Sequence, residues 1–108
     1  MLIYNVTSNV EETVHEAWLK WMTTEHIPQV LSTGKFEKAT LTKVLIADEK
    51  GTVTYSVQYR VNSRETLNAY FKENAPKLRM DVLKKFADKV LSFRTELEII
   101  DEYTVRLH

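Results

Sequence analysis

The chain has 108 residues, 15 Lys+Arg against 15 Asp+Glu, 44% hydrophobic residues and no cysteine. That length fits one domain burying roughly two thirds of the surface its unfolded chain exposes, and the missing cysteine excludes disulfides, thiolate metal centres and cysteine nucleophiles. Zero net charge gives no excess of cations to displace counterions from phosphates, so nucleic acid is not an expected partner, and two glycines cannot build a Gly-rich phosphate loop.

The opening Met1-Leu2-Ile3-Tyr4-Asn5-Val6 has neither a basic leader nor an apolar run long enough for a signal peptide or membrane span. The expected setting is therefore cytoplasmic, without a membrane. Residues 2–7 are rich in Ile, Tyr, Val and Thr and predict a strand. Asn9 with Glu12 three residues on has the pattern of a capping box. Val14, Ala17, Trp18, Trp21 and Met22 then recur at helical spacing. Pro28 disfavours helical geometry at Ile27, which predicts the end of the helix there. A short turn over 29–32 leads to Gly34 as a helix C-cap.

Residues 36–47 and 52–61 predict a hairpin around the polar turn 48–51. In its second arm Val53, Tyr55, Val57, Tyr59 and Val61 alternate with Thr54, Ser56, Gln58 and Arg60. Asn62-Ser63-Arg64-Glu65 repeats the cap pattern. Leu67, Tyr70 and Phe71 follow at helical spacing, and Pro76 suits the first turn of a second helical piece carrying Leu78, Val82, Leu83 and Phe86. Residues 91–100 predict the last strand. The alternation of Tyr103, Val105 and Leu107 predicts a short added strand in the tail, 101–108.

The order is β-α-β-β-α-β over residues 1–100, each half interrupted at a proline: Glu25-His26-Ile27-Pro28 and Glu73-Asn74-Ala75-Pro76. This is the α+β, ferredoxin-like arrangement, with an antiparallel sheet and two proline-broken helices on one face. Tyr4, Val6, Val53, Val57, Phe93 and Leu97 are expected on the helix side. Asn5, Thr7, Ser56, Gln58, Arg60, Arg94, Glu96 and Glu98 are expected on the other. That polar face is either solvated or meets a second sheet across a dimer. Apolar residues on both parities of the second strand (Leu41 and Leu45, Val44 and Ile46) and the apolar tail favour a homodimer.

The Tyr4-Asn5-Val6-Thr7 opening, the Trp18…Trp21…Glu25-His26-Ile27-Pro28 segment and the Phe93-Arg94-Thr95-Glu96-Leu97 close resemble a short bacterial family of unknown function, over roughly residues 1 to 100. More distantly the chain is similar to the dimeric α+β barrels, which include antibiotic-biosynthesis monooxygenases, stress-responsive barrel proteins, haem-degrading enzymes and an ester-degradation accessory group. Some of these carry a Trp followed by His-x-Pro in the first helix, as Trp21 and His26-Ile27-Pro28 do. The resemblance implies a homodimer of two sheets and a pocket between sheet and helices. It does not imply one activity. Haem-degrading relatives place a ligand His on the second helix; here no His lies between His26 and His108, and the matching region reads Asn74-Ala75-Pro76.

His26 has two readings. A helix-end imidazole caps carbonyls where the macrodipole favours its charged form, or it supplies a hydrogen bond or a proton near neutral pH and is the candidate catalytic group. Trp18, Trp21 and Met22 are likewise either core or an aromatic wall for a ligand. His15 and His26 are eleven residues apart, about 16 Å along a helix, and cannot share a metal; neither metal nor cofactor is expected. Met22 and His26 lie one turn apart at the edge of the apolar stripe. That places Trp18, Trp21, Met22 and His26 on one side of a pocket completed by Asn5 and Tyr70, for a small hydrophobic or aromatic ligand. Three classes of function follow. One is a structural or regulatory dimer without established catalysis. Another is a ligand-binding or cofactor-free monooxygenase- or isomerase-like pocket. The third, an RNA-recognition module, needs exposed aromatics on the first and third strands, whereas Tyr4, Tyr55 and Tyr59 share the parity of the buried valines. The sequence specifies no reaction.

Overall fold

The computed structural model describes residues 1–45 and 51–105. Two ten-residue strands, β1 (Leu2–Glu11) and β3 (Thr52–Val61), form the centre of a four-stranded sheet. The edges are β2 (Lys38–Lys43) and β4 (Val90–Glu98), in the order β2-β3-β1-β4 with every neighbouring pair antiparallel. Between the strands run α1 (His15–Trp21), α2 (Ile27–Ser32), α3 (Arg64–Glu73) and α4 (Ala75–Phe86). They supply Trp18, Val30, Leu67, Leu78 and Phe86 to one core shared with the sheet's Tyr4, Val10, Val57 and Tyr59. This is the ferredoxin-like α+β fold expected from the element order. Among the described residues no helix is long and apolar enough to cross a membrane.

Alternation in β3 places its side chains as expected. The register Tyr4↔Tyr59 and Val6↔Val57 sets Tyr55, Val57, Tyr59 and Val61 against the helices, all buried. β1 runs further than the sequence suggested. Asn9 is still in the ladder, and its Nδ2 donates to Thr52 Oγ1 at 3.2 Å and Thr54 Oγ1 at 3.1 Å instead of capping a helix. Cross-strand hydroxyls satisfy that amide better than a helix end it no longer adjoins. The second cap forms one residue later than the Asn62–Glu65 spacing predicts: Ser63 Oγ accepts the Thr66 N–H at 3.2 Å. β2 is shorter than expected, although the Val44 N–H still donates to the Thr54 carbonyl at 2.9 Å. Ile46, Ala47 and turn positions 48–50 lie outside the described residues.

Pro28 does not end the first helix. The chain widens into one turn of π-helix, Met22–His26, and continues as α2 with Pro28 in its first turn. A proline there lacks an N–H that an α-helical ladder would use, and its ring crowds the carbonyl four residues back. The wider turn moves the proline to a helix start, where a missing donor costs least. The hydroxyls of Thr23 and Thr24 donate to the Leu19 and Lys20 carbonyls where the ladder slips, at 2.7 to 3.1 Å.

The parity of β4 is the reverse of that expected. Its register with β1, Val10↔Val90 through Leu2↔Glu98, turns Val90, Ser92, Arg94, Glu96 and Glu98 to the helix side. Leu91, Phe93 and Leu97 face away from the helices and are 65%, 63% and 40% exposed. The strand begins at Val90, which is buried beside its partner Val10, and a period of two then fixes every later residue. Residues Asp101 to Val105 form no strand. Glu102 instead pairs with Arg60 at 2.6 Å, and Tyr103 and Val105 are exposed; Leu107 lies outside the described residues.

After α4, Ala87 has φ 51° and ψ −130°. Such a conformation strains a residue with a Cβ by about 1–3 kcal/mol. Ala87→Gly should therefore raise the unfolding free energy by about 1 kcal/mol, the relieved strain less the extra backbone entropy glycine loses. Urea denaturation checks this, and a bulkier Ala87→Val should lower the midpoint.

Candidate functional site

A cavity of about 50 Å³ lies between the β1–β4 half of the sheet and the helices. The first helical arm contributes Trp18, Met22, His26 and Val30; β1 and β3 contribute Tyr4, Val6, Ser8 and Tyr59. The second arm adds Tyr70, Leu78, Arg79 and Val82, and β4 adds Ser92 and Arg94. The volume is several times what one water needs and well below the roughly 150 Å³ that holds a benzene ring. Arg79 and Arg94 are the exposed members and mark where the cavity meets solvent.

The π turn explains why Met22 and His26 reach this space. Both are buried, and His26 is 8% exposed. Its ring stacks on Trp21 with centroids 4.8 Å apart. His26 Nδ1 is buried and has no hydrogen-bond partner among the described residues. An unsatisfied buried nitrogen costs about 1–3 kcal/mol, so this atom favours a partner brought into the cavity. Trp18, 1% exposed, packs on Tyr55 at 5.2 Å, and the Tyr55 hydroxyl shares a 2.7 Å hydrogen bond with His15 Nε2.

Of the six residues proposed from sequence, the structure brings Trp18, Met22, His26 and Tyr70 together at the cavity. Trp21 stands behind His26, packed edge-on against Phe86 at 5.5 Å, and borders a shallow outer groove with Glu25 and Lys85. Asn5 does not line the cavity. Its strand parity points it to the open face of the sheet, where its Oδ1 accepts from Ser56 Oγ at 2.5 Å and its Nδ2 donates to Thr7 Oγ1 at 3.2 Å. Sequence reasoning put Arg94 on the opposite face of the sheet and missed Arg79 and the Ser8–Ser92 pair, whose hydroxyls are 2.7 Å apart. Arg79 and Arg94 come from separate elements, and the reversed parity of β4 hid Arg94.

The electrostatics also differ from expectation. Burial lowers the His26 pKa to about 4, partly offset by the Asp81 carboxylate, so at neutral pH the ring is neutral and does not cap a helix end as imidazolium. Burial, with Tyr4 beside it, pushes the Tyr70 hydroxyl up to about 12 against the opposing pull of Arg79 and Arg94; burial raises Tyr59 too. These phenols are hydrogen-bond donors and not bases near neutral pH. Among the described residues no group of three or more His, Cys, Asp or Glu converges on a metal position.

The His26 shift predicts a pH dependence. The folded ring titrates near 4 and the unfolded one near 6.5. Between those values the unfolded chain binds more protons, so this contribution to stability is complete above about 6.5, falls as pH drops, and is gone below about 4. At about 1.4 kcal/mol per unit it is worth up to about 3 kcal/mol. In His26→Phe, which keeps a ring on Trp21, that component of the stability–pH curve should vanish. Chemical denaturation of both proteins from pH 4 to 7.5 checks it.

The architecture is shared with solved structures at low identity. A dimeric ferredoxin-like protein from an uncultured marine organism superposes with a TM-score of 0.68 at 18% identity, over 97% of this chain and 100% of that one. An ethyl tert-butyl ether D (EthD) family protein from Bacillus halodurans gives 0.65 at 15%, over 93% and 100%. SnoaB, a cofactor-independent oxygenase from Streptomyces nogalater, gives 0.59 at 8%, over 94% and 95%. Identities this low establish the fold alone. Among curated proteins nothing matches the sequence. A family model described as a domain of unknown function (DUF4286) matches residues 1–100, and the chain belongs to that family.

Proposed function

We propose that the protein is a homodimer closed on its open sheet faces, each protomer of which binds a small hydrophobic ligand in the cavity under the π turn. The observation that carries the ligand reading is His26: buried at a cavity wall, neutral, and with Nδ1 lacking a partner among the described residues. Trp18, Met22 and Val30 supply apolar contact area, and the Tyr70 hydroxyl a donor. The volume favours a slim aliphatic body over an aromatic ring.

The dimer reading rests on the open face. Its centre is polar and satisfied from within: Asn5 with Thr7 and Ser56, Asn9 with Thr52 and Thr54. Polar groups that already have partners lose little when water leaves. Beside them Leu91, Phe93 and Leu97 form an exposed apolar stripe, continued by Ile100, Tyr103 and Val105 of the tail. A second copy offers the same combination, and a two-fold axis pairs like with like. Dimeric relatives of this fold support the same assembly.

Light scattering at micromolar concentration should give twice the chain mass, and Phe93→Glu should give a folded monomer, because Phe93 is outside the protomer core. A monomeric wild type would refute the assembly. For the cavity, titrating the full chain with butanol should move the NMR signals of His26, Met22 and Tyr70. Shifts confined to other residues would refute the ligand reading.

A further inference from the structure

The charge around the cavity is uneven in a way the overall balance of 15 against 15 does not suggest. Among the described residues its walls contain two arginines, three tyrosine hydroxyls and no aspartate or glutamate. Of the four described arginines, Arg60 pairs with Glu37 and Glu102, and Arg64 pairs with Glu96. Arg79 and Arg94 have no carboxylate partner among the described residues. Glu96 is on the same face of β4 as Arg94, two residues on, but Arg64 engages it.

Arg79 is held in place. Its Nη2 donates to Tyr4 Oη at 3.2 Å, and its guanidinium lies 5.8 Å from the centroid of the Phe71 ring. Because the Tyr4 oxygen accepts from Arg79, the Tyr4 proton is free to be donated onward. The mouth therefore has two guanidiniums without a carboxylate partner among the described residues, and the rest of the lining is uncharged: apolar side chains, the tyrosine hydroxyls, the Ser8–Ser92 pair and the neutral His26. Planar guanidinium forks match carboxylates and hold them by charge-assisted hydrogen bonds.

We propose that the ligand of this cavity is a short-chain monocarboxylate, held at the mouth by Arg79 and Arg94 with its aliphatic chain against Trp18, Met22 and Val30. This rests on the reading of the cavity as a ligand site and narrows it to a chemical class. The size agrees: about 50 Å³ excludes a ring from the enclosed part but admits a few carbons, and the polar head stays at the wet end. Both arginines are on the helix side of the sheet, away from the face proposed to close the dimer, so the mouth stays open in the assembly.

The test is an NMR titration of the full chain with butyrate, butyramide, butanol and inorganic phosphate, repeated on Arg94→Gln and Arg79→Gln. Arg94 is exposed, so its variant keeps the core; Arg79→Gln also loses the Tyr4 bond and serves as the second arm. The expected result is that butyrate moves His26, Met22 and Tyr70, and that either substitution weakens it roughly tenfold or more, the loss of one charge-assisted hydrogen bond. Butyramide and butanol should bind the wild type at that weakened level and ignore the substitutions. Neutral analogues binding as tightly as butyrate, with no effect of the arginines, would overturn the carboxylate assignment and leave the cavity reading standing. Phosphate matching butyrate and displacing it would also overturn it, since the apolar chain would then contribute nothing. If no probe moves the cavity residues, the cavity reading itself fails.

Discussion

The fold is organised around the Tyr4 ring. It sits on the central strand β1, 3% exposed, with Phe36, Tyr59, Tyr70 and Phe71 at centroid distances of 5.3 to 6.2 Å. Those neighbours come from the segment before β2, from β3 and from α3, and the Tyr4 hydroxyl adds Arg79 of α4. One side chain thus ties both halves of the βαββαβ chain to the middle of the sheet. Aromatic pairs of this kind add about 0.5–1.5 kcal/mol each beyond the area they bury, and sharing one ring makes them non-additive. The position of α4, and with it one wall of the cavity, depends on this cluster.

A second constraint is local. Pro28 cannot extend a normal α-helical ladder, and the chain answers with a π turn instead of a break. That turn buries His26 against Trp21 and leaves its Nδ1 without a partner among the described residues. A polar atom kept in this condition is costly, and the cost falls where the cavity lies. The structural oddity and the candidate site are the same feature seen from two sides.

The edge strand β4 links this site to assembly. Its start at Val90 closes the core, so its charged residues line the helix side and its apolar ones the open face. The same register that places Arg94 at the cavity mouth exposes Leu91, Phe93 and Leu97 on the proposed dimer face. Inward charges on an edge strand also discourage a foreign strand from adding there.

The element order, the alternation of β3, a polar cap ahead of α3 (though one residue later than its spacing predicts) and the burial of Trp18 were legible in the sequence, because each depends on residues close together in the chain. Helical spacing put Trp18 and Met22 on one stripe with His26 at its edge, whereas the π turn that carries His26 to the cavity was not legible, since the proline predicted a stop there. What the tertiary structure decided is which face of an alternating strand is covered: in β4 the pattern of apolar residues pointed one way and the register with β1 imposed the other. Asn5 left the candidate site although its parity is the expected one: alternation already turned it away from the helices, to the face where it bonds Ser56 and Thr7, and so out of a pocket between sheet and helices. The convergence of Tyr4, Arg79 and Arg94, on β1, α4 and β4, had no signature in any window of sequence. Such a juxtaposition exists only once the sheet has paired and the helices have packed, and the physics that places it is the register of the strands and not the propensity of the residues.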